Sequence, residues 1–375
     1  MKILLFTNSL GGGGAERVVA SLANHWAGRG WRVSIVTIEP ARADFHRLDP
    51  GVERIALDLG RPSRGALDAL SQNLRRIIAL RRVLAAARPD VALALMSTPN
   101  VLLAFASLGM ARMRTVGSER CYPPHHPLGR VWTALRRRMY RRLDALVAQT
   151  RESAAWIRAH CPAQRVPVIP NAALWPLPQH LPRIAPQDMC LPRRRILLAV
   201  GRLEPVKNFG ALVEVFRRIA PAHPEWDLVI LGEGAQRPAL EAAAGAALGA
   251  GRIRLPGIAG NVGDWYARAD LYVLCSHSEG FPNCLAEALA HGLPAVSVDC
   301  DTGPRDIVRH GVDGLLVAPG DGAALGLALE RLMEDPGLRS RFAARACEAR
   351  ERFSLERVAG MWEALFRDLH VGRRT

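Results

Sequence analysis

Apolar residues follow two rhythms along this chain. Short, largely apolar runs at residues 3–6, 31–38, 91–96, 115–117, 145–148 and 166–169 have the length and composition of buried strands. Between them, apolar positions recur every third or fourth residue, the period of a helix with one buried face. Val18, Leu22 and Trp26 share a face of a helix expected from about residue 15 to 29. A second helix, from about 67 to 87, is expected to turn Leu70, Leu74, Ile77, Leu80 and Leu84 toward a core, with Arg75, Arg76, Arg81 and Arg82 alongside. Strands alternating with helices predict an α/β fold: a parallel sheet wound with helices on both faces.

The rhythm lapses over residues 173–195, which hold five prolines. It resumes with apolar runs at 196–201, 228–231, 253–255, 271–275, 295–298 and 314–317. The expected organisation is therefore a doubly wound domain over 1–172, a linker over 173–195, and a second such domain over 196–354. A final helical segment within 355–375 presents Val358, Met361, Trp362, Leu365 and Phe366 as a broad apolar face that must be buried somewhere.

Charge changes this picture. The 375 residues carry a formal net charge of +15, and it is not evenly spread. Residues 1–185 hold 27 Lys+Arg against 11 Asp+Glu, whereas 186–375 hold 23 against 24. Such asymmetry points to an anionic partner for the first half. The seven cysteines form no C-x-x-C pair and no Cys/His cluster, which reads as reduced thiols of a cytosolic protein. Residues 1–10, MKILLFTNSL, read as a strand and not as a leader. Residues 91–111 are uncharged, a length that raises a membrane span. Ser97-Thr98-Pro99-Asn100 interrupts them, so a strand, a turn and a helix are expected instead.

The richest chemistry lies in residues 271–292, LYVLCSHSEGFPNCLAEALAHG. A buried-strand run leads into Ser, His, Gly, Pro and Asn, and a helix opens near Cys284. A strand, a glycine–proline loop and a helix start aim backbone N–H groups and a positive helix end at an anion. Glu279 and Glu287 flank that point and can accept hydrogen bonds from hydroxyls on either side of a phosphate. Arg202 and Lys207, in VGRLEPVKNFG, follow the first strand of the second domain, where a fork and a point charge suit a diphosphate. Lys207 is one of only two lysines in the chain.

The spacing E-x7-E from Glu279 to Glu287, within SEGFPNCLAEALAHGLP, resembles the signature of retaining glycosyltransferases of family 4. That resemblance implies the GT-B architecture: two Rossmann-like domains facing a cleft, with the last helix crossing back to the first domain. It also implies roles. Glu279 holds the hydroxyls of a donor hexose, Glu287 the ribose diol, and Arg202 and Lys207 the departing diphosphate. Gly280, Phe281, Pro282, Asn283, Cys284 and Leu285 line the donor, Gly257 and Ile258 pack on its base, and Thr302 and Gly303 offer backbone N–H groups. The D-x-D triplet Asp299/Asp301 is read as loop carboxylates, because GT-B enzymes generally need no metal. No cofactor is expected, a UDP-sugar being a substrate. A loop carboxylate adds little to packing, so Glu279→Ala is expected to abolish transfer with the fold intact.

In the first half, Gly11-Gly12-Gly13-Gly14 lets backbone approach phosphate closely. Gly13 and Gly14 are assigned to the donor. GGAER, Gly13 to Arg17, resembles the branch of the family that extends lipid-linked oligosaccharides, and it lacks the third glycine of a dinucleotide fingerprint. Many family members place a His after the fourth strand. Here Glu119 and Arg120 stand there, and with Glu16 they are assigned to acceptor or donor contacts. Residues 128–146 set Trp132, Leu135, Met139, Leu143 and Leu146 at helical spacing, with Arg136, Arg137, Arg138, Arg141 and Arg142 crowding the remaining surface. Such a face suits anionic lipid or the diphosphate of a polyprenyl carrier. The resemblance thus implies a monomeric transferase at the inner face of the cytoplasmic membrane, acting on a polyprenyl-diphosphate-linked glycan. Transfer to a soluble or protein acceptor is the alternative. Nucleic-acid binding is disfavoured by the lack of any recognised module or aromatic–basic interleaving, and a dinucleotide oxidoreductase by the missing glycine.

Overall fold

The computed structural model describes residues 1–371, so the last four residues of the 355–375 segment lie outside it. The chain divides into two compact units: Met1–Ala172 joined by the helix that opens at Leu355, and Ala173–Ser354.

The first unit begins with β1 (Lys2–Thr7), α1 (Gly14–Gly28), β2 (Arg32–Thr37) and β3 (Val52–Ala56). It continues through α2 (Ala66–Ala87), β4 (Val91–Leu95), α3 (Ser97–Ala106) and β5 (Arg114–Ser118). Helix α4 (Arg130–Met139), β6 (Ala145–Val147) and α5 (Arg151–His160) complete its first pass. The strands order as β3-β2-β1-β4-β5-β6, all parallel, with Ile3 paired to Val33 on one side and Val91 on the other. Because β1 and β4 are neighbours at the centre, the order reverses there, and loops beyond β1, β4 and β5 open at one rim.

The second unit holds a short α6 (Pro186–Met189), then β7 (Arg195–Val200), α7 (Phe209–Ile219), β8 (Trp226–Leu231) and α8 (Arg237–Ala244). Next come α9 (Ala246–Gly249), β9 (Ile253–Gly257), α10 (Val262–Arg268), β10 (Leu271–Leu274) and α11 (Asn283–Ala290). It ends with β11 (Ala295–Val298), α12 (Pro304–Ile307), β12 (Gly314–Val317), α13 (Gly322–Glu334), α14 (Pro336–Ala346) and α15 (Ala349–Arg352). Its order, β12-β11-β10-β7-β8-β9, repeats the arrangement of the first sheet. The central strands β7, β8, β10 and β11 are buried on both faces, which explains why their runs read as largely apolar.

The final helix, α16 (Leu355–Val371), belongs to the first unit. Val358, Trp362, Phe366 and Leu369 join the core formed by Ile3, Leu22, Trp26 and Leu93. Trp26 stacks on Trp31 at 5.4 Å, and Phe366 tilts against both.

Several details depart from expectation. The run at 166–169 forms no strand, only a bridge between Val168 and Ala148, and the sixth strand of the first sheet is instead β3, whose apolar pattern is broken by Glu53 and Arg54. Residues 173–195 are no loose tether: Ala173, Leu177 and Cys190 are buried in a core of the second unit, and Ala173 N–H donates to Phe353 O at 2.8 Å. Leu174, Ile184 and Met189, set among the prolines, pack against the same core. Helix α2 keeps only the C-terminal part of its expected face: Ile77 packs with Leu80 and Leu84, but Leu70 and Leu74 do not turn inward. Gln72, Leu80 and Leu84 are buried, while Leu67, Leu70, Leu74 and Ile78 face solvent. Polar anchors decide this. Gln72 Nε2 donates to Ser63 Oγ at 3.2 Å, and Arg76 Nη2 to Leu59 O at 2.8 Å, both in the loop between β3 and α2, holding that side inward. Finally, Arg136 does not share the basic surface of α4. It is buried, with its guanidinium 4.9 Å from the Trp156 ring centre, where a flat cation stacks well. Arg137, Arg138, Arg141 and Arg142 are exposed as expected. Residues 91–111 form β4 and α3, and among the described residues no helix is long and apolar enough to cross a membrane.

Candidate functional site

In the second unit the chemistry collects in loops beyond β7, β8, β10 and β11. After β7 the chain makes one tight turn over Pro205–Lys207, and Asn208 takes a left-handed conformation (φ 54°) to start α7. Asn tolerates that region better than most residues. The turn is sewn to the loop beyond β10: His277 N–H donates to Val206 O at 2.8 Å, and Cys275 Sγ to Lys207 O at 3.1 Å. Lys207 is thereby aimed at Glu279, Nζ to Oε1 2.6 Å, and Ser276 Oγ donates to the same oxygen at 2.7 Å. Both side chains are largely buried, at 16% and 11% exposure. Burial works against the ammonium, but the Glu279 charge and hydrogen bond outweigh it, so the Lys207 pKa sits above its ordinary value.

Thr302, fully buried, donates from Oγ1 to Glu279 O at 2.5 Å, clamping the loop from β11. Gly303 follows at φ 97°, and a Cβ there would stand 2.6 Å from Pro282 Cδ and 3.1 Å from Gly280 O. Only glycine lets these two loops lie so close. Helix α11 opens at Asn283 with Pro282 as its N-cap and no side-chain cap, leaving its positive end to the loop. Phe281 and Leu285 are buried, and Phe281 meets Phe353 edge-on at 5.6 Å, so these two anchor the loop. Burial pushes the Cys284 thiol up, which keeps it protonated. Glu287, one turn into α11, is 3% exposed and receives the Tyr266 hydroxyl at 3.5 Å.

The loops beyond β7, β8 and β9 are laced by backbone. Gly201 N–H donates to Leu231 O, Gly232 N–H to Gly257 O and Leu203 N–H to Glu233 O, all at 2.9–3.0 Å. Gly232 has φ 139°, and a Cβ there would fall 1.9 Å from Gly201 O. Gly257 has φ 97°, and Ile258 beyond it is 58% exposed, an apolar surface presented at the rim. Arg202 is exposed and paired with Glu204 at 2.8 Å, apart from the buried pair. Glu233 is bridged by Arg237, and Asp299 by Arg305 at 2.9 Å. Ser276 and Tyr266 were not anticipated. Ser276 could have been found as a hydroxyl three residues before Glu279, whereas Tyr266 has no local signal.

In the first unit, Gly13 is the N-cap of α1, and the Glu16 carboxylate folds back over it: a Cβ on Gly13 would meet Glu16 Oε2 at 2.2 Å. Gly14 opens the helix. Beyond β5, Glu119 and Arg120 are both buried. Glu119 accepts from Ser97 Oγ at 2.9 Å and, very closely, from the Tyr140 hydroxyl, and burial raises its pKa. Asn100 completes this set, donating to Ser118 O at 3.1 Å. Ser97 and Tyr140 lie about twenty residues from Glu119 on either side, so nothing in the sequence joined them. Arg120 is different. Its Nη1 reaches Ser118 Oγ at 3.4 Å, but Nε and Nη2 have no hydrogen-bond partner among the described residues. Burial pulls its pKa down to about 10, against the opposing pull of Cys121 and Glu16.

Two Rossmann-like units of matching strand order, one carrying a buried Lys–Glu pair beside a helix start, define the class of GT-B glycosyltransferases. Known proteins agree. A model described as "Glycosyl transferases group 1" matches residues 191–349, and one described as "Glycosyl transferase 4-like domain" matches residues 13–172. The chain belongs to the family-4 type of glycosyltransferases. It is similar to the Campylobacter jejuni GalNAc-α-(1→4)-GalNAc-α-(1→3)-diNAcBac-PP-undecaprenol α-1,4-N-acetyl-D-galactosaminyltransferase, 26% identical over 98% of this chain and 99% of that protein. An exopolysaccharide phosphotransferase of Streptomyces coelicolor is 34% identical over 82% of this chain, which spans only 31% of that protein's length. Among solved structures, Anabaena HepE in complex with UDP superposes with a TM-score of 0.76 at 20% identity, covering 98% of this chain and 100% of that one.

Proposed function

We propose that this glycosyltransferase moves a hexose or N-acetylhexosamine from a UDP-sugar to a hydroxyl of a polyprenyl-diphosphate-linked glycan, with retention at C1 and without a metal ion. The carrying observation is the buried Lys207–Glu279 pair set against the uncapped start of α11. As the C1–O bond breaks, negative charge gathers on the leaving diphosphate and positive charge on the ring. Lys207, the α11 N-terminus and the backbone around Gly303 meet the first, already oriented before reaction. Glu279, with one oxygen held by Lys207 and Ser276, directs the other to sugar hydroxyls. Glu287 takes the ribose diol. The acceptor hydroxyl attacks from the face the diphosphate leaves, and its proton passes to the departing phosphate oxygen, so no side chain serves as nucleophile. Arg202 swings from exposed Glu204 to the diphosphate.

A UDP donor is supported by the UDP complex of the Anabaena neighbour, and a lipid-borne acceptor by the undecaprenol-linked substrate in the Campylobacter relative's name. The exposed Arg137, Arg138, Arg141 and Arg142 supply cations for a carrier diphosphate, and this reading places the enzyme at the inner face of the cytoplasmic membrane. The test offers the purified protein a panel of UDP- and GDP-sugars with synthetic lipid-linked acceptors, and reads product anomers by NMR, with and without EDTA. Transfer from a UDP-sugar to give a product of unchanged anomeric configuration supports the reading. An inverted product, or transfer only to soluble or protein acceptors, overturns it.

A further inference from the structure

Of the large apolar side chains that the described residues leave exposed, four lie on α2: Leu67 at 85%, Leu70 at 69%, Leu74 at 54% and Ile78 at 42%. Their spacing of three, four and four residues sets them along one side of the helix, so they form a stripe and not a scatter. Leu108, at 45%, lies near its C-terminal half, where Arg81 Nη1 donates to Leu108 O at 2.7 Å and fixes that edge. Arginines border the stripe. Arg75, Arg81 and Arg82 are exposed on the same helix, and Arg61 and Arg64 stand in the loop before it. The one acid of the helix, Asp68, is already engaged by Arg61 at 2.7 Å and by the Arg64 N–H at 2.9 Å. Beside the stripe opens a cavity of about 420 Å³ lined by Arg42, Arg61, Arg75, Gln72, Glu39 and Asp58.

We propose that this face of α2 seats the protein on an anionic phospholipid bilayer: the four aliphatic side chains enter the acyl–headgroup boundary, and the bordering arginines meet lipid phosphates. The charge argument selects lipid over a second copy of the chain, because pairing two such faces would bring their arginines together. An apolar stripe edged by arginine is also how surface helices hold to membranes. The inference rests on the reading of a lipid-borne acceptor but concerns a different surface from the donor loop and from α4.

The experiment is flotation of the full chain with phosphatidylglycerol-rich vesicles and with phosphatidylcholine vesicles. Wild-type protein floats with the first, less so with the second. Leu70→Ser/Leu74→Ser should weaken partition at least roughly tenfold, Arg75→Gln/Arg82→Gln by roughly fivefold each at low salt and less at high salt, and Leu70→Phe should retain it. Unchanged melting temperature in all variants, all exposed positions, keeps folding out of the result. Hydrolysis of the nucleotide sugar in detergent stays at the wild-type rate in these variants, so flotation without transfer would sink the proposed activity and leave this surface standing. Undiminished flotation of the double-Ser variant overturns the proposal, as does wild-type protein that stays in solution or self-associates through α2.

Discussion

In the second unit, Lys207 and Glu279 come together from loops far apart in sequence, and a serine and a threonine hold the carboxylate's residue in place. In the first unit, Glu119 and Arg120 are neighbours in sequence, yet they part company. The carboxylate is taken up by Ser97 and Tyr140, and the guanidinium keeps two buried nitrogens unpartnered among the described residues. One cluster is complete within its own protein. The other keeps a desolvated cation that folding alone gives no reason to bury. Charges that are satisfied internally are set before a ligand arrives, whereas an unsatisfied one gains most when an anion meets it. Stability and activity should therefore fall together at the first cluster and separate at the second.

The sharpest way to break that contrast is Glu279→Ala. Transfer should drop by at least about 10²–10³-fold, as for other losses of preorganised electrostatic groups. The structure also alters the expectation that the fold would not notice, because the substitution strands a mostly buried ammonium. A loss approaching about 3 kcal/mol in denaturant titrations is expected. Glu279→Gln, which keeps an acceptor oxygen, should lose the activity and less of the stability. A stable Ala variant would undo the claim of coupling.

Gly232→Ala comes next. Its Cβ would meet Gly201 O at 1.9 Å from a left-handed backbone, so the loops beyond β7 and β8 must separate, at about 3 kcal/mol in the unfolding midpoint. Arg120→Met tests the other side. Removing an unsatisfied buried charge should leave stability unchanged or raise it by about 1 kcal/mol or more, while kcat/KM for the acceptor falls roughly tenfold. A marked drop in melting temperature would show that Arg120 is structural after all. The smallest effect is a pH dependence. The folded pKa of Lys207 lies above its ordinary 10.5, so its contribution is fully present below 10.5 and fades as pH rises through the folded value. The stability gap between wild type and Lys207→Met should stay constant across neutral pH and narrow only in strong alkali.

Most strands, their parallel alternation and the fate of the uncharged stretch were legible because each depends on local pattern; β3 was missed because Glu53 and Arg54 break its apolar run, and the run at 166–169 makes only a bridge to Ala148. The facing of α2 was not. It carries one apolar stripe through Leu67, Leu70, Leu74 and Ile78, and another through Ile77, Leu80 and Leu84, and periodicity does not say which looks inward. The choice was made by Gln72 and Arg76, whose partners Ser63 and Leu59 lie in the loop before the helix. Arg136 was misplaced for a similar reason: its burial depends on Trp156, on another helix. At the candidate site, Glu279, Glu287 and Lys207 stood out by spacing and rarity, but their wiring through Ser276, Thr302 and Tyr266 is tertiary and left no trace in any short window.

Because α16 supplies Trp362 and Phe366 to the core around Trp26, the first unit is not complete until this helix, which follows the whole of the second unit, has been synthesised. During translation its sheet must wait, with that core uncovered, while all of the second unit emerges. Any attempt to express the two units separately, or to graft the second unit into another chain, has to cut in two places and keep α16 with the first unit.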